Sequence, residues 1–259
     1  MIEKNVLLQI INLIYMNSNK IFLVCSLLSG TSLFGQEPTD AKATEDWSRK
    51  PVVISPVETK WPRPADAIVL LDPNTCLWTN TDGSPMGWTN ENGVITVKPG
   101  SGGIISSQKF EDCHLHVEWR SPLVVKGEGQ GRGNSGIFLQ SMYEVQVLDS
   151  YNNETYYNGQ AGSIYKQYPP LTNACSKTGE WNTFDIIFRA PKFDHYGEKI
   201  ESGRITVIHN GLVIQNNVTI LGTTPNVGYP KNPVHRGAPL LLQDHSDLVS
   251  YRNIWIRRL

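Results

Sequence analysis

The sequence predicts an all-β protein, a two-sheet antiparallel sandwich, and three observations point there. About ten or more short apolar or alternating runs succeed one another with turn residues between them. The composition is turn-rich, with 22 Gly and 16 Pro. Beyond the N-terminal leader, no long stretch keeps the apolar period of an amphipathic helix. Strands that each bury one face, joined by tight turns, pack as two layers around one core.

The chain has 259 residues and a formal net charge of -1. Near-neutrality and the lack of a basic run argue against nucleic acid or an anionic membrane held by bulk charge. Ile21 to Phe34 is apolar over about the length of a signal-peptide core, with Lys20 before it and Ser29, Gly30, Ser32 and Gly35 toward its end. Residues 1–35 are therefore expected to be a signal peptide, with Met16 as the alternative start, and the protein to be exported to the periplasm or outside the cell. The run is short and interrupted for an anchor, so no membrane span is expected in the mature chain. Roughly 220 residues then remain, enough for one large β domain. Residues 36–64, with Pro38, Pro51, Pro56, Pro62 and Pro64, read as an extended lead-in on the surface of a domain at 65–259. Cys76, Cys113 and Cys175 are odd in number, widely spaced and without a CxxC pair. A buried free thiol is expected for each, or else a single bridge.

Taken in order, Ala67 to Asp72 is a short apolar strand ending at an Asp-Pro-Asn turn. Gly93 to Val97 is the next, closed by Pro99-Gly100. His114 to Arg120 alternates cleanly, with Leu115, Val117 and Trp119 on one face and His116, Glu118 and Arg120 on the other. Gly127 to Gly133 is Gly-rich, but no Gly-Lys-Ser/Thr follows, so it reads as a mobile rim loop instead of a phosphate loop. Ile137 to Gln140 and the strand from Glu144 flank Ser141-Met142 and form a tight hairpin. Tyr151 to Tyr168 is rich in Tyr and Asn, a composition that suits stacking on a sugar face and bonding its hydroxyls. Phe184, Ile186 and Phe188 share one strand face. Ile205 to His209 and Leu212 to Gln215 flank Asn210-Gly211, the strongest hairpin signal in the chain. Leu240 to His245 starts apolar and ends polar, and Tyr251 to Arg257 closes the domain.

The chain is organised around Glu144-Val145-Gln146-Val147-Leu148-Asp149. Val145 and Val147 face a core, while Glu144 and Gln146 face away from it. Leu148 breaks the alternation. As a β-bulge it would swing Asp149 onto the face of Glu144 and Gln146. Polar faces recur at Glu118/Arg120 and Gln243/His245, and a sheet bent into a trough would gather all three. The Glu-x-Gln-x-x-Asp spacing also parallels the Glu-x-Asp-x-x-Glu strand of laminarinase-type β-glucanases, although Gln146 and Asp149 depart from that pattern.

Several blocks together give a closer likeness. They are Gly133-Asn134-Ser135-Gly136-Ile137, Tyr143 to Ser150, Gly162-Ser163-Ile164-Tyr165, Gly179-Glu180-Trp181-Asn182, His209-Asn210-Gly211, Leu242 to His245 and Arg252 to Ile256. As a set the chain resembles the 3-keto-disaccharide hydrolase domain family of secreted bacterial proteins. The resemblance implies a concanavalin-like jelly roll and cleavage of glycosides already oxidised at C3 of the sugar. It also implies an upstream sugar dehydrogenase and a carbohydrate as the partner. A C3 ketone acidifies the C2 hydrogen, so a base can form an enolate that expels the C1 oxygen, with water adding later. Such a site needs a base, a stabiliser for the enolate oxygen and an acid. On that basis Glu144 or His245 is assigned as base, Lys166 or Arg120 as enolate stabiliser, and Asp149 as acid or as orienter of the base. Gln146, Asn134 and Gln243 would hold hydroxyls, with Tyr165 and Glu118 also among the substrate-binding candidates. A divalent cation on Glu144, Asp149 and His245 is the alternative to a Lys or Arg stabiliser, though no metal motif is present. The competing functions are a glycosidase acting on unoxidised β-glucan and a non-catalytic carbohydrate-binding module.

Overall fold

The structure is a computed structural model and describes residues 39–53 and 63–259. The expected signal peptide lies outside the described residues, as do parts of the lead-in. Among the described residues there is no α-helix, and no helix long and apolar enough to cross a membrane. The strands in chain order begin with β1 (Val52–Val53), β2 (Ile68–Asp72), β3 (Thr75–Cys76), β4 (Trp78–Asn80), β5 (Thr89–Glu91) and β6 (Val94–Thr96). Then come β7 (Ile104–Phe110), β8 (Cys113–Arg120), β9 (Ser135–Leu139), β10 (Tyr143–Val147), β11 (Thr172–Asn173) and β12 (Asn182–Arg189). The last are β13 (Lys192–Phe193), β14 (Lys199–Glu201), β15 (Arg204–His209), β16 (Leu212–Thr219), β17 (Ala238–Leu242) and β18 (Ser250–Arg258).

Two sheets form the sandwich, a jelly roll as the sequence led us to expect. One has the order β10-β9-β17-β7-β4; the other runs β16-β15-β12-β8-β18-β2-β3, with β6 on β18 and β5 on β6. The pairings between β9 and β10, β8 and β12, and β8 and β18 are all antiparallel. Alternation sends every second side chain inward. Leu115, Val117 and Trp119 of β8 and Phe184, Ile186 and Phe188 of β12 meet Ile137, Leu139, Val145, Val147, Leu240 and Leu242 of the facing sheet, all of them buried. Each such side chain contributes about 1.5–3 kcal/mol by leaving water.

Two hairpins follow their sequence signals. Asn210 and Gly211 turn with φ of 51° and 82°, the left-handed pair of a type I′ turn. Gln140 and Ser141 do the same at 51° and 59° without a glycine. Their side chains hold the bend, Gln140 donating to the Phe110 carbonyl and Ser141 to that of Pro239. This turn fixes the register that sets Glu144 opposite Phe138 and Gln146 opposite Gly136.

All three described cysteines are free. Cys113 and Cys175 are buried, and burial pushes both thiols up to about 12. Cys76 corrects the expectation of burial: it is exposed, on the two-residue strand β3 at the end of its sheet. The described part of the lead-in lies against residues 157–173. There β1 pairs in parallel with β11, the Asp46 N–H donates to Asn158 Oδ1, and the Tyr157 N–H donates to the Asp46 carbonyl.

Candidate active site

On the outer face of the five-stranded sheet lies a pocket of about 320 Å³. Its floor is Phe138 of β9 with Glu144 and Gln146 of β10, the residues that alternate against the core valines. Gln243 and His245 enter from the end of β17, whose ladder continues as the Gln243 N–H donates to the Gly136 carbonyl. One wall is the segment that covers the free edge of β10: the Gln146 N–H donates to the Ser163 carbonyl, and the Tyr165 N–H to that of Glu144. Thr224 and Asn226 form the other side, Thr224 Oγ1 accepting the Glu144 N–H at 3.0 Å. Gln130, Asn134 and Tyr156 complete the lining.

Glu144 is 5 % exposed, and among the described residues no donor reaches its carboxylate. Burial pushes its carboxyl up to about 8. Gly136 makes room for it: a Cβ there would collide with Glu144 Oε1 and with the Phe138 ring. Beside it, three amides are knitted together. Gln146 Nε2 donates to Gln130 Oε1 at 2.9 Å, and Asn134 Nδ2 donates to the Gln130 carbonyl at 2.7 Å. Gln146 Oε1 is left buried without a partner among the described residues. An unmet acceptor of this kind costs about 1–3 kcal/mol, which a ligand hydroxyl would recover.

Opposite the amides, Tyr156 and Tyr165 share a hydrogen bond of 2.7 Å, and the Tyr165 hydroxyl donates to Asn226 Oδ1 at 3.1 Å. Burial raises both phenols, so they stay protonated donors. Lys166 Nζ lies 5.4 Å and 5.8 Å from the centres of these two rings and donates to the Ala41 and Asn226 carbonyls. Burial lowers its ammonium. His245 stands exposed at the mouth.

Of the residues singled out from sequence, Glu144, His245, Asn134, Gln146, Tyr165 and Gln243 line this one pocket. Lys166 does not line it and sits against the two tyrosine rings. The expected swing of Asp149 does not occur. β10 ends at Val147, and the buried Asp149 carboxylate accepts from Arg132 Nε at 2.9 Å and from Thr178 Oγ1 at 2.7 Å. Glu118 and Arg120 are also elsewhere, because β8 belongs to the other sheet and the outer faces of the two layers point apart. Glu118 bonds Arg252 at 2.6 Å and Asn253 at 2.8 Å, and the Arg120 guanidinium lies over the Trp181 ring. The set Glu144, Asp149 and His245 therefore does not converge on a cation, and among the described residues no other trio of His, Cys, Asp or Glu does.

Sequence reasoning missed Gln130, Phe138, Tyr156, Thr224 and Asn226 as individuals. Gln130 lies in the Gly-rich stretch read as a rim, and Tyr156 in the aromatic stretch read as a platform. Residues 221–230 carry no periodicity, so nothing in that loop pointed to Thr224 or Asn226.

A family model described as a 3-keto-alpha-glucoside-1,2-lyase-like domain matches residues 66–257. Among solved structures, a candidate glycosyl hydrolase from Parabacteroides distasonis is 47% identical, over 84% of this chain and 96% of that one, with a TM-score of 0.75. Another candidate glycosyl hydrolase from the same organism shares 19% identity over 71% of this chain and 89% of its own, at a TM-score of 0.50, a likeness of fold. No curated protein matches the sequence.

Proposed function

The chain belongs to the family of 3-keto-alpha-glucoside-1,2-lyase-like domains, and from that membership we propose that it cleaves glycosides whose sugar is already a 3-ketone. The family and its relatives make it a carbohydrate-active enzyme. The finer chemistry rests above all on Glu144, a buried carboxyl without a partner among the described residues, held at about 8 and facing a polar pocket. A group so poised can take a proton from carbon and give it back.

In the proposed reaction Glu144 removes the proton from C2, and the electron pair forms the C2–C3 enolate. As the ketone re-forms, that pair makes the C1–C2 double bond and the C1–O bond breaks. The leaving oxygen takes a proton from His245 at the mouth. For the enolate oxygen the Tyr165 hydroxyl would turn from Asn226 to donate, with Tyr156 donating to Tyr165 behind it and Lys166 beside their rings adding positive potential. The unmet Gln146 Oε1, with Asn134 and Gln243, receives sugar hydroxyls. Water can then add across the double bond: its oxygen bonds C1, the proton it sheds returns to His245, and C2 recovers its proton from Glu144.

One observation favours elimination over ordinary glycoside hydrolysis. Among the described residues Glu144 is the single carboxylate lining this pocket, whereas a retaining or inverting glycosidase works with a facing pair. Glu144→Gln should lower cleavage of a 3-keto-glucoside by about 10³-fold with the circular dichroism spectrum unchanged. The wild type should ignore the unoxidised glucoside and slow down on a substrate deuterated at C2. Near-normal turnover by a folded Glu144→Gln protein would overturn the proposal.

A further inference from the structure

A second hollow of about 530 Å³ opens beside the candidate active site. The two share a dividing wall. Asn134 and His245 line the first, and their chain neighbours Gly133 and Ser246 line the second. The Asp247 carboxylate accepts the Asn134 N–H at 2.8 Å and ties the two wall segments together. Gly133 keeps the wall thin, since a Cβ there would press on Ser121 and Asp149.

One side of this hollow is apolar. Leu123, Val124 and Val125, in the loop after β8, and Leu248 line it, and each is at least half exposed. Four such side chains together on a surface mark a place that gains from being covered. The other side is cationic: Arg120 and Lys126 line it, and among the described residues no carboxylate pairs with either. The Arg120 guanidinium carbon lies over the Trp181 ring, 4.8 Å from its centre, a contact that restrains its fork of donors. Of the remaining charged side chains, Arg132 pairs with Asp149, and Asp247 accepts the Asn134 N–H on one oxygen, which leaves three basic side chains against two acidic ones in the lining.

We propose that this hollow is the leaving-group subsite, and that it takes a flat apolar group carrying an acid, the class of an aromatic carboxylate. The leaving-group role rests on the function proposed above, while the recognition chemistry stands on the hollow alone. Cleavage frees the group on the C1 oxygen, and the adjoining wall at Asn134 and His245 is where that group would leave the sugar pocket.

The test pairs two measurements on the full chain. The first is kcat/KM for para-carboxyphenyl and phenyl 3-keto-glucosides; the second is calorimetric titration with para-hydroxybenzoate and with neutral para-hydroxybenzyl alcohol. The carboxyphenyl substrate should be preferred roughly tenfold, mostly in KM, as a charge-assisted bond at a part-exposed arginine would give. In Arg120→Met the preference should fall to near one, and Leu248→Asp should weaken binding of both aromatic probes. Equal kcat/KM for the two substrates in the wild type, or a preference that survives Arg120→Met in a folded protein, overturns the proposal. If neither glucoside is cleaved yet para-hydroxybenzoate binds in an Arg120-dependent way, the function proposed above and the leaving-group role fall together. The hollow then stands as an aromatic-acid site.

Discussion

A carboxyl group held at about 8 by burial is half-ionised only there and mostly protonated at neutrality, and that gives Glu144 a signature. As a base it works ionised, so kcat/KM on a para-nitrophenyl 3-keto-glucoside, whose leaving group needs no proton from His245, should climb with pH through about 8 and level off above it. A pH–rate profile flat across that range would remove Glu144 from the base role. The same displacement has a structural cost. The unfolded chain sheds this proton near the ordinary value of 4.5, the folded chain only near 8, so the contribution to stability is full below 4.5 and lost as pH rises to 8. At this scale the sequence was readable where a side chain followed the strand period. Glu144 and Gln146 alternate with Val145 and Val147, and that alone put them on the pocket face. Asp149 lies past the strand end, where period no longer governs direction, and a local arginine captured it instead.

Three strands of the larger sheet carry a second polar cluster on their outer face. His116 of β8 donates from Nδ1 to Asp185 of β12 at 2.8 Å, stacks on Trp255 of β18 with ring centres 5.0 Å apart, and has Glu118 3.9 Å from Nε2. Burial would lower His116, but Asp185 and then Glu118 outweigh it and hold the imidazolium up to about 9. Burial would raise the two carboxylates as well, yet their histidine, Asn253 and Arg252 partners bring them down to about 2. The signs differ. His116 stabilises fully below 6.5, and that contribution fades as pH rises to about 9. Asp185 and Glu118 stabilise above about 4.5 and lose it as pH falls toward 2. In a Glu144→Gln background, which removes that carboxyl's own loss up to about pH 8, urea unfolding should therefore show a loss on the order of 2 kcal/mol between 6.5 and about 9, absent once His116→Gln is added. A stability that stays level over that window in the Glu144→Gln protein, or a slope that persists in the double variant, would contradict the assignment. The alternation in β8 announced a polar face correctly, but it could not say which layer the strand would join. That choice is made by pairing with β12 and β18, far apart in sequence.

For the whole molecule, the two layers were legible because burial on one face is written into each strand, and the hairpin turns have their own local chemistry. What local patterns do not encode is how irregular segments close over a sheet. The pocket depends on such closure at residues 130–134, 156–168 and 221–230. The described lead-in braces the second of these. Asp46 holds Tyr157 and Asn158, the Asn158 side chain donates to the Thr44 carbonyl, and Lys166 Nζ donates to the Ala41 carbonyl at 2.6 Å. None of these contacts touches the core between the sheets. Removing residues 1–50 should therefore leave a folded sandwich with nearly native near-ultraviolet circular dichroism. It should also loosen the segment bearing Tyr156 and Tyr165 and lower kcat/KM by roughly tenfold, since misplacing site groups by about an ångström costs up to 10²-fold. Hydrogen exchange should quicken across residues 156–168 and stay slow in β8 and β12. If the shortened chain exchanges uniformly faster or fails to fold, the lead-in belongs to the fold's foundation; if rate and exchange are unchanged, the brace has no hold on the site.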